Sequence, residues 1–494
     1  MTRSRYLNPQ NARDALSQRL TAVASTLGVE HGKATDSSEA AARCLLEITR
    51  TVGSSASPDR VWLLLTALAG AFPLESDVRS AVRMLELVRP DEASVWLLER
   101  AFELGGQRGS LDATLDVVSD IVVDVAYTAT NNLHTGIQRV VRQTVPLWAE
   151  RADLCLVAWT ERGGAMRHVD DVERDRVLRW DGPSESTQVD AATTLVVPWQ
   201  TTVLLTEVPP TGHCPPLSAL AQYSGNNVAA IGYDCIPVVS ADMLPAAEPE
   251  KFVQYLSVVK HSKAIAAISA SATSEFEGFA RMLPTQGLPS PRVVECALPV
   301  EVPYSAPTDT STGVPTILSV GSHEPRKNQV SVMAAAERLW REGLAFQLRL
   351  VGGSGWSTSE FDEWVHQLRR RRRPLLVERS IDDQALWTAY RDARFTVFPS
   401  LHEGFGLPVA ESLASGTPAI TSDFGSMAEI ATGGGALTID PHDLGSLTDA
   451  MRRLLTDDDL LASLSSAARS RPRRWWVDYA RESWQILTEG PLTP

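Results

Sequence analysis

Apolar residues recur at helical spacing through the first stretch of the chain. Leu16, Leu20, Val23 and Leu27 form one stripe closed by Gly28. Ser38-Glu39 opens a second helical period containing Cys44, Leu45 and Ile48. Ser57-Pro58-Asp59 opens a third, VWLLLTALAGAF, with Ser57 placed to cap and Pro58 suited to a first helical position. Ser76 to Val88 and Asp91 to Leu104 read the same way. This pattern predicts an all-helical unit over residues 1–107 without a chemistry-bearing cluster, hence a packing or docking module.

GGQRGS (105–110) reads as punctuation, and the period then changes. Short apolar runs follow: IVVDVAYT (121–128), LCLVAWT (154–160), TTLVVPW (193–199), VAAIGYDCIPV (228–238), AIAAIS (264–269) and VVECALPV (293–300). Helical periods such as Gly136 to Ala149 and Glu248 to Ser262 lie between them. Strand-helix alternation predicts a mostly parallel sheet covered on both faces. SAPTDTSTGVP (305–315) has linker composition, and the alternation restarts with PTILSVG, AFQLRLVGG, PLLVERS, ARFTVFPS and TPAITS. Two α/β units therefore follow the helical head, with ligands expected in a cleft beyond the carboxyl ends of their strands.

Composition narrows the class. A net charge of -14 opposes nucleic-acid binding. The basic run Arg369 to Arg373 reads as a solvated helix end, with peripheral contact to an anionic membrane as the other option. Five scattered cysteines without a C-x-x-C pair point to free thiols in a reducing compartment. Neither a secretory h-region nor an eighteen-residue apolar run is visible. A cytoplasmic protein is expected, peripheral at the inner face of the membrane if it meets lipid at all.

Candidate chemistry sits where strands run into helices. After PTILSVG comes Ser322-His323-Glu324-Pro325-Arg326-Lys327-Asn328, two adjacent cations beside a helix start, an arrangement suited to an anion. After ARFTVFPS comes LHEGFGLPVAES. It places Glu403 on a loop and Glu411 about one turn into the next helix, while Gly404 and Gly406 permit close backbone approach. Gly136 follows IVVDVAYT at a helix start and could admit a phosphate; Arg139 and Arg142 beyond it read as solvated. Asp234 ends the strand before Cys235-Ile236-Pro237 and would face the same cleft. Asp457-Asp458-Asp459 reads as helix capping, not as a metal site, and no metal or cofactor is expected.

VGSHEPRKNQ together with FPSLHEGFGLPVAESLASGTPAITSDFGSMAEI resembles the donor half of the retaining GT-B glycosyltransferases of family 4. The likeness covers the second α/β unit nearly throughout. It is looser in the first, through TGIQRVVR, which matches a subgroup with a T-G-I-x-R-V loop, and through YDCIP. The helical head resembles no family we can name. The resemblance implies two Rossmann-like domains facing across a cleft, preceded by the all-helical N-terminal domain. The expected division is 1–107 helical, 116–304 acceptor domain, 312–472 donor domain, and 473–494 a C-terminal helix crossing back to the acceptor domain.

It further implies transfer of a sugar from a nucleotide-diphosphate sugar to a glycan, lipid-linked or other hydroxyl acceptor, with retention. Arg326 and Lys327 would hold the leaving diphosphate. Glu411 would take the ribose hydroxyls and Glu403 those of the sugar. Backbone groups from Gly404 through Phe405, Gly406 and Leu407 would face sugar and phosphate, and Gly136 would close on the phosphate. Many family members carry His-Asp where Tyr233-Asp234 stands, which leaves open what approaches the anomeric carbon. The rivals are a non-catalytic nucleotide-sugar-binding scaffold that docks a partner, or itself, through residues 1–107, and an inverting GT-B enzyme or a sugar phosphorylase.

Overall fold

The computed structural model describes residues 9–30, 38–133, 135–180, 182, 194–303 and 313–489. Most of the expected linker, 305–312, lies outside the described residues.

Among the described residues, five helices precede the first strand: α1 Pro9–Thr26, α2 Ser38–Gly53, α3 Pro58–Ala69, α4 Glu75–Leu87 and α5 Pro90–Arg108. The run VWLLLTALA is apolar all round because α3 is buried all round, Val61 to Ala69 without a break. α5 ends at Arg108, inside GGQRGS and one residue past the expected bound at 107. Gly105 and Gly109 also serve close packing. A Cβ on Gly105 would come within 2.6 Å of the Ala69 carbonyl oxygen, and one on Gly109 within 2.4 Å.

The head does not form a separate core. Its apolar residues merge with those of the first α/β unit in one cluster. Trp62 meets Phe72 at 5.2 Å between ring centroids, and Phe72 meets Trp159 of the first sheet at 6.1 Å. Arg19 is buried beneath this seam. Its guanidinium donates to the carbonyls of Ala67 (2.6 Å), Leu111 (2.7 Å) and Ala113 (2.7 Å). Burial lowers its pKa to about 10, only partly offset by Asp112.

The first sheet contains β1 Thr114–Val118, β2 Ile121–Asp124, β3 Leu154–Trp159, β4 Met166–His168, β5 Thr194–Pro198, β6 Thr202–Leu205, β7 Asn227–Gly232, β8 Ala264–Ala267 and β9 Arg292–Glu295. Their spatial order is β1-β5-β4-β3-β2-β6-β7-β8-β9, parallel except for β4. The short strands β1, β4 and β6 had no counterpart in the sequence reading. IVVDVAYT also splits, because a short helix, Ala126–Thr130, begins just after β2.

The second sheet contains β10 Thr316–Val320, β11 Gln347–Val351, β12 Leu375–Glu378, β13 Phe395–Phe398, β14 Ala419–Ser422 and β15 Ala436–Ile439. It is parallel throughout, in the order β12-β11-β10-β13-β14-β15. That is the doubly wound order, with a switch point between β10 and β13.

The last described helix, Trp476–Thr488, returns to the first unit. The Trp148 indole N–H donates to the Ala480 carbonyl at 2.9 Å, and the Trp148 and Trp484 rings lie 5.9 Å apart. The Trp476 backbone N–H donates to Glu301 at 2.6 Å. Asp457 caps the helix Asp458–Arg469 by accepting from the Leu460 N–H, while Asp458 pairs with Arg394. In the basic run, Arg371 and Arg373 are ion-paired to Glu337. Among the described residues no helix is long and apolar enough to cross a membrane.

Candidate active site

The site is built at the switch point of the second sheet. Chains leaving β10 and β13 turn to opposite faces, which opens a crevice at the carboxyl ends of these neighbouring strands. After β10, Pro325–Lys327 makes a single 3-10 turn, and Asn328 in the left-handed region (φ 54°) starts the helix Gln329–Arg341. After β13, Gly406 at φ 103° starts the helix Leu407–Ala414, a conformation that favours glycine. These two turns bring both sequence motifs together.

Their charges form one compact group. Lys327 Nζ lies 2.6 Å from Glu403 Oε1, and Arg326 Nη1 lies 3.1 Å from Glu403 Oε2. Arg326 Nη2 also holds Glu324 at 2.7 Å, and the Ser400 hydroxyl donates to Glu403 at 2.6 Å. Glu403 is only 8% exposed. Burial alone would raise its pKa, but Lys327 and Arg326 outweigh that and hold it at about 2. Burial likewise opposes the Arg326 charge, and Glu403 and Glu324 overcome it, raising its pKa. Two cations and two carboxylates thus neutralise one another, so the cations are fixed in place before any ligand arrives.

Glu411 is deeper, at 4% exposed. One carboxylate oxygen accepts from the Tyr390 hydroxyl at 2.8 Å, and the other is paired with Arg139. Arg139 belongs to the facing unit, on the helix Gly136–Ala149, so this ion pair spans the cleft. The expectation of two solvated arginines there is corrected. Arg139 bonds across the domains, and Arg142 is buried, donating to the carbonyls of Arg176 and Leu133.

The two units close tightly at the glycines. A Cβ on Gly404 would lie 2.5 Å from the Tyr233 carbonyl oxygen and 3.0 Å from Asp234 Oδ2. The Ser269 hydroxyl donates to the Gly404 carbonyl at 2.6 Å. A Cβ on Gly136 would meet Leu407 at 3.5 Å, and Phe405 packs against the apolar clusters of both units. Asp234 is half-buried, with Oδ1 accepting from the Ile236 N–H at 3.1 Å. Burial and the nearby Glu275 charge raise its pKa to about 6 against the pull of Arg326.

The structure brings Gly136, Asp234, Arg326, Lys327, Glu403, Gly404, Phe405, Gly406, Leu407 and Glu411 together where the two units meet. Their partners Tyr390 and Ser269 carried no sequence signal of their own. They reach the site through tertiary folding, from separate elements.

Two Rossmann-like domains facing one another make the GT-B fold, here preceded by a helical domain. Residues 304–471, about a third of the chain, match the family Glycosyl transferases group 1. The serotype-specific mannosyltransferase WbdA of Escherichia coli is 36% identical over 117 residues, 24% of this chain and 14% of that protein. The O-antigen chain mannosyltransferase B of Escherichia coli is 26% identical over 251 residues, 48% of this chain and 65% of that protein. The chain therefore spans less than two thirds of the length of these relatives. Among solved structures, sucrose-phosphate synthase from Thermosynechococcus elongatus superposes with a TM-score of 0.55 at 17% identity, over 75% of this chain and 98% of that one. HepE of Anabaena in complex with UDP and glucose gives 0.54 at 12% identity, over 76% and 100%.

Proposed function

We propose that the chain is a glycosyltransferase that moves a hexosyl or related sugar from a nucleoside-diphosphate donor to a hydroxyl acceptor, with retention. The observation that carries this reading is the fixed pair Arg326 and Lys327, held by Glu403 at the switch point, on a loop whose Gly404 packs against Asp234 of the first unit. Breaking the bond from the anomeric carbon to the phosphate oxygen leaves negative charge on the diphosphate. Preorganised cations meet that charge more strongly as it develops, which is transition-state stabilisation and needs no metal ion.

In this reading the acceptor oxygen forms the new bond to the anomeric carbon on the face the diphosphate leaves. Its proton passes to the departing phosphate oxygen. Glu411 takes the ribose hydroxyls, Glu403 the sugar hydroxyls, and Asp234 approaches the reacting centre from the first domain. The tight fit of Gly404 against the first domain excludes water, favouring transfer over hydrolysis. A glycan or lipid-linked acceptor in polysaccharide synthesis is supported by the O-antigen mannosyltransferase relatives. A cytoplasmic setting suits a nucleotide-sugar donor.

A thermal-shift and transfer screen across GDP-, UDP- and dTDP-sugars tests this. One donor should raise the melting temperature and yield a product of the added sugar mass. Arg326→Ala and Lys327→Ala should each lower kcat by about 100-fold or more. The absence of any stabilising donor, or near-wild-type turnover in both variants, would overturn the assignment.

A further inference from the structure

His402 precedes the donor-loop glutamate, yet its imidazole points into the other domain. Nδ1 is 2.7 Å from the Ser240 hydroxyl and Nε2 is 2.7 Å from Glu275 Oε1, both on the first α/β unit. The contact is shielded, with 14% side-chain exposure for His402 and 11% for Glu275. The His402 carbonyl accepts from Arg326 Nη1, and the other oxygen of Glu275 accepts from the backbone N–H of Cys235 at 2.5 Å. One unbroken path therefore runs from the guanidinium of Arg326 through His402 and Glu275 to the peptide that follows Asp234.

We infer that His402 is an interdomain positioning residue that sets the distance between Asp234 and the Arg326–Lys327 pair. The inference deepens the transferase reading and rests on it for its effect on turnover. Nε2 bonds to the carboxylate while Nδ1 bonds to the serine hydroxyl, so one planar ring fixes two directions at once. The donor roles given to Arg326, Lys327, Glu403 and Glu411 all lie in the second domain; bringing the acceptor-side carboxyl into register needs the latch. Loss of His402 should thus leave the donor in place and misplace the reacting groups, which costs rate steeply.

The test compares His402→Ala, His402→Gln and Glu275→Gln in the full chain, measuring nucleotide affinity by calorimetry, kcat, and amide hydrogen exchange over 233–240. Expected for His402→Ala is a kcat lower by about 100-fold, a nucleotide Kd within about twofold of wild type, and faster exchange at Cys235. Glutamine at 402 should restore part of kcat, because its amide reaches Glu275. Glu275→Gln should resemble His402→Ala in exchange at Cys235. Unchanged kcat in His402→Ala overturns the inference. So does a Kd that worsens in step with kcat, or a glutamine variant no better than alanine, because either marks a general structural role. If the wild type transfers no sugar at all, the transferase reading fails instead, and the exchange of Cys235 alone still decides whether the latch exists.

Discussion

Arg139 of the first domain is ion-paired with Glu411 of the second, so the carboxylate assigned to the donor ribose already holds a cation from across the cleft. A ribose diol that binds both oxygens must displace that guanidinium while Tyr390 stays on the other oxygen. A charge-assisted hydrogen bond contributes roughly 1.5–3 kcal/mol. Arg139→Met should therefore bind the free nucleoside about tenfold more tightly, and Glu411→Ala should bind it more weakly. Isothermal calorimetry with nucleoside alone checks both signs, and equal affinity in all three proteins would reject the ribose role.

Gly404 has no room for a side chain, with the Tyr233 carbonyl oxygen 2.5 Å from where a Cβ would sit. The obstacle is backbone, which cannot turn aside as a long side chain can. Gly404→Ala should wedge the domains apart and lower kcat by about 100-fold, with nucleotide affinity changed far less. Steady-state kinetics beside calorimetry separates the two effects.

Glu403 links its site to stability. Its folded pKa of about 2 lies below the ordinary 4.5, so the stabilisation is complete above about pH 4.5 and disappears as pH falls through 2. The displacement corresponds to about 3 kcal/mol. Glu403→Gln removes the anion but leaves Arg326 and Lys327 closely packed, and should destabilise the fold by about 3 kcal/mol at neutral pH. Urea unfolding at pH 7 measures that loss.

Asp234 has the opposite sign. Its carboxyl is raised from 3.8 to about 6, so the folded state increasingly opposes its ionisation between pH 4 and 6, and the full cost persists above that. Asp234→Asn should be more stable than wild type at pH 7.5, by on the order of 2 kcal/mol, with the advantage gone near pH 3.5. Thermal unfolding across this range checks it. The same variant should lose transfer activity, because the carboxyl facing the donor side is gone.

The helical head is expected to be indispensable to folding. Removing residues 1–107 would strip Phe72 from Trp159 and expose the face of the first sheet that the head covers. Arg19→Ala alone leaves the carbonyls of Ala67, Leu111 and Ala113 without their donor. A drop of several degrees in melting temperature is expected for Arg19→Ala, and an insoluble product for the truncation. A soluble, cooperatively folding 108–494 chain would show that the head is an independent module.

Much of this organisation was legible in residue order. Helical period over the head, alternation through both α/β units, and two strand-to-helix turns carrying Arg326-Lys327 and Glu403-x7-Glu411 follow from local spacing alone. GGQRGS reads as a boundary and α5 does end inside it, while Gly105 is also required because Ala69 approaches too closely for any side chain. Local spacing misled elsewhere. Arg139 and Arg142 looked solvated because an isolated arginine usually is; a partner 272 positions away decides otherwise for Arg139. The strand β4, only three residues long, is too short for period-2 patterning to register.

The sequence by itself determined which turns could hold charge and which helices had a face to bury, since both depend on neighbours within a few residues. Only the tertiary structure decided what those charges meet. Strand order placed β10 beside β13, so that Lys327 and Arg326 close on Glu403, and domain closure set Arg139 on Glu411 and His402 between Ser240 and Glu275. Electrostatics and sterics act over a few ångströms whatever the separation along the chain, and folding alone sets those distances.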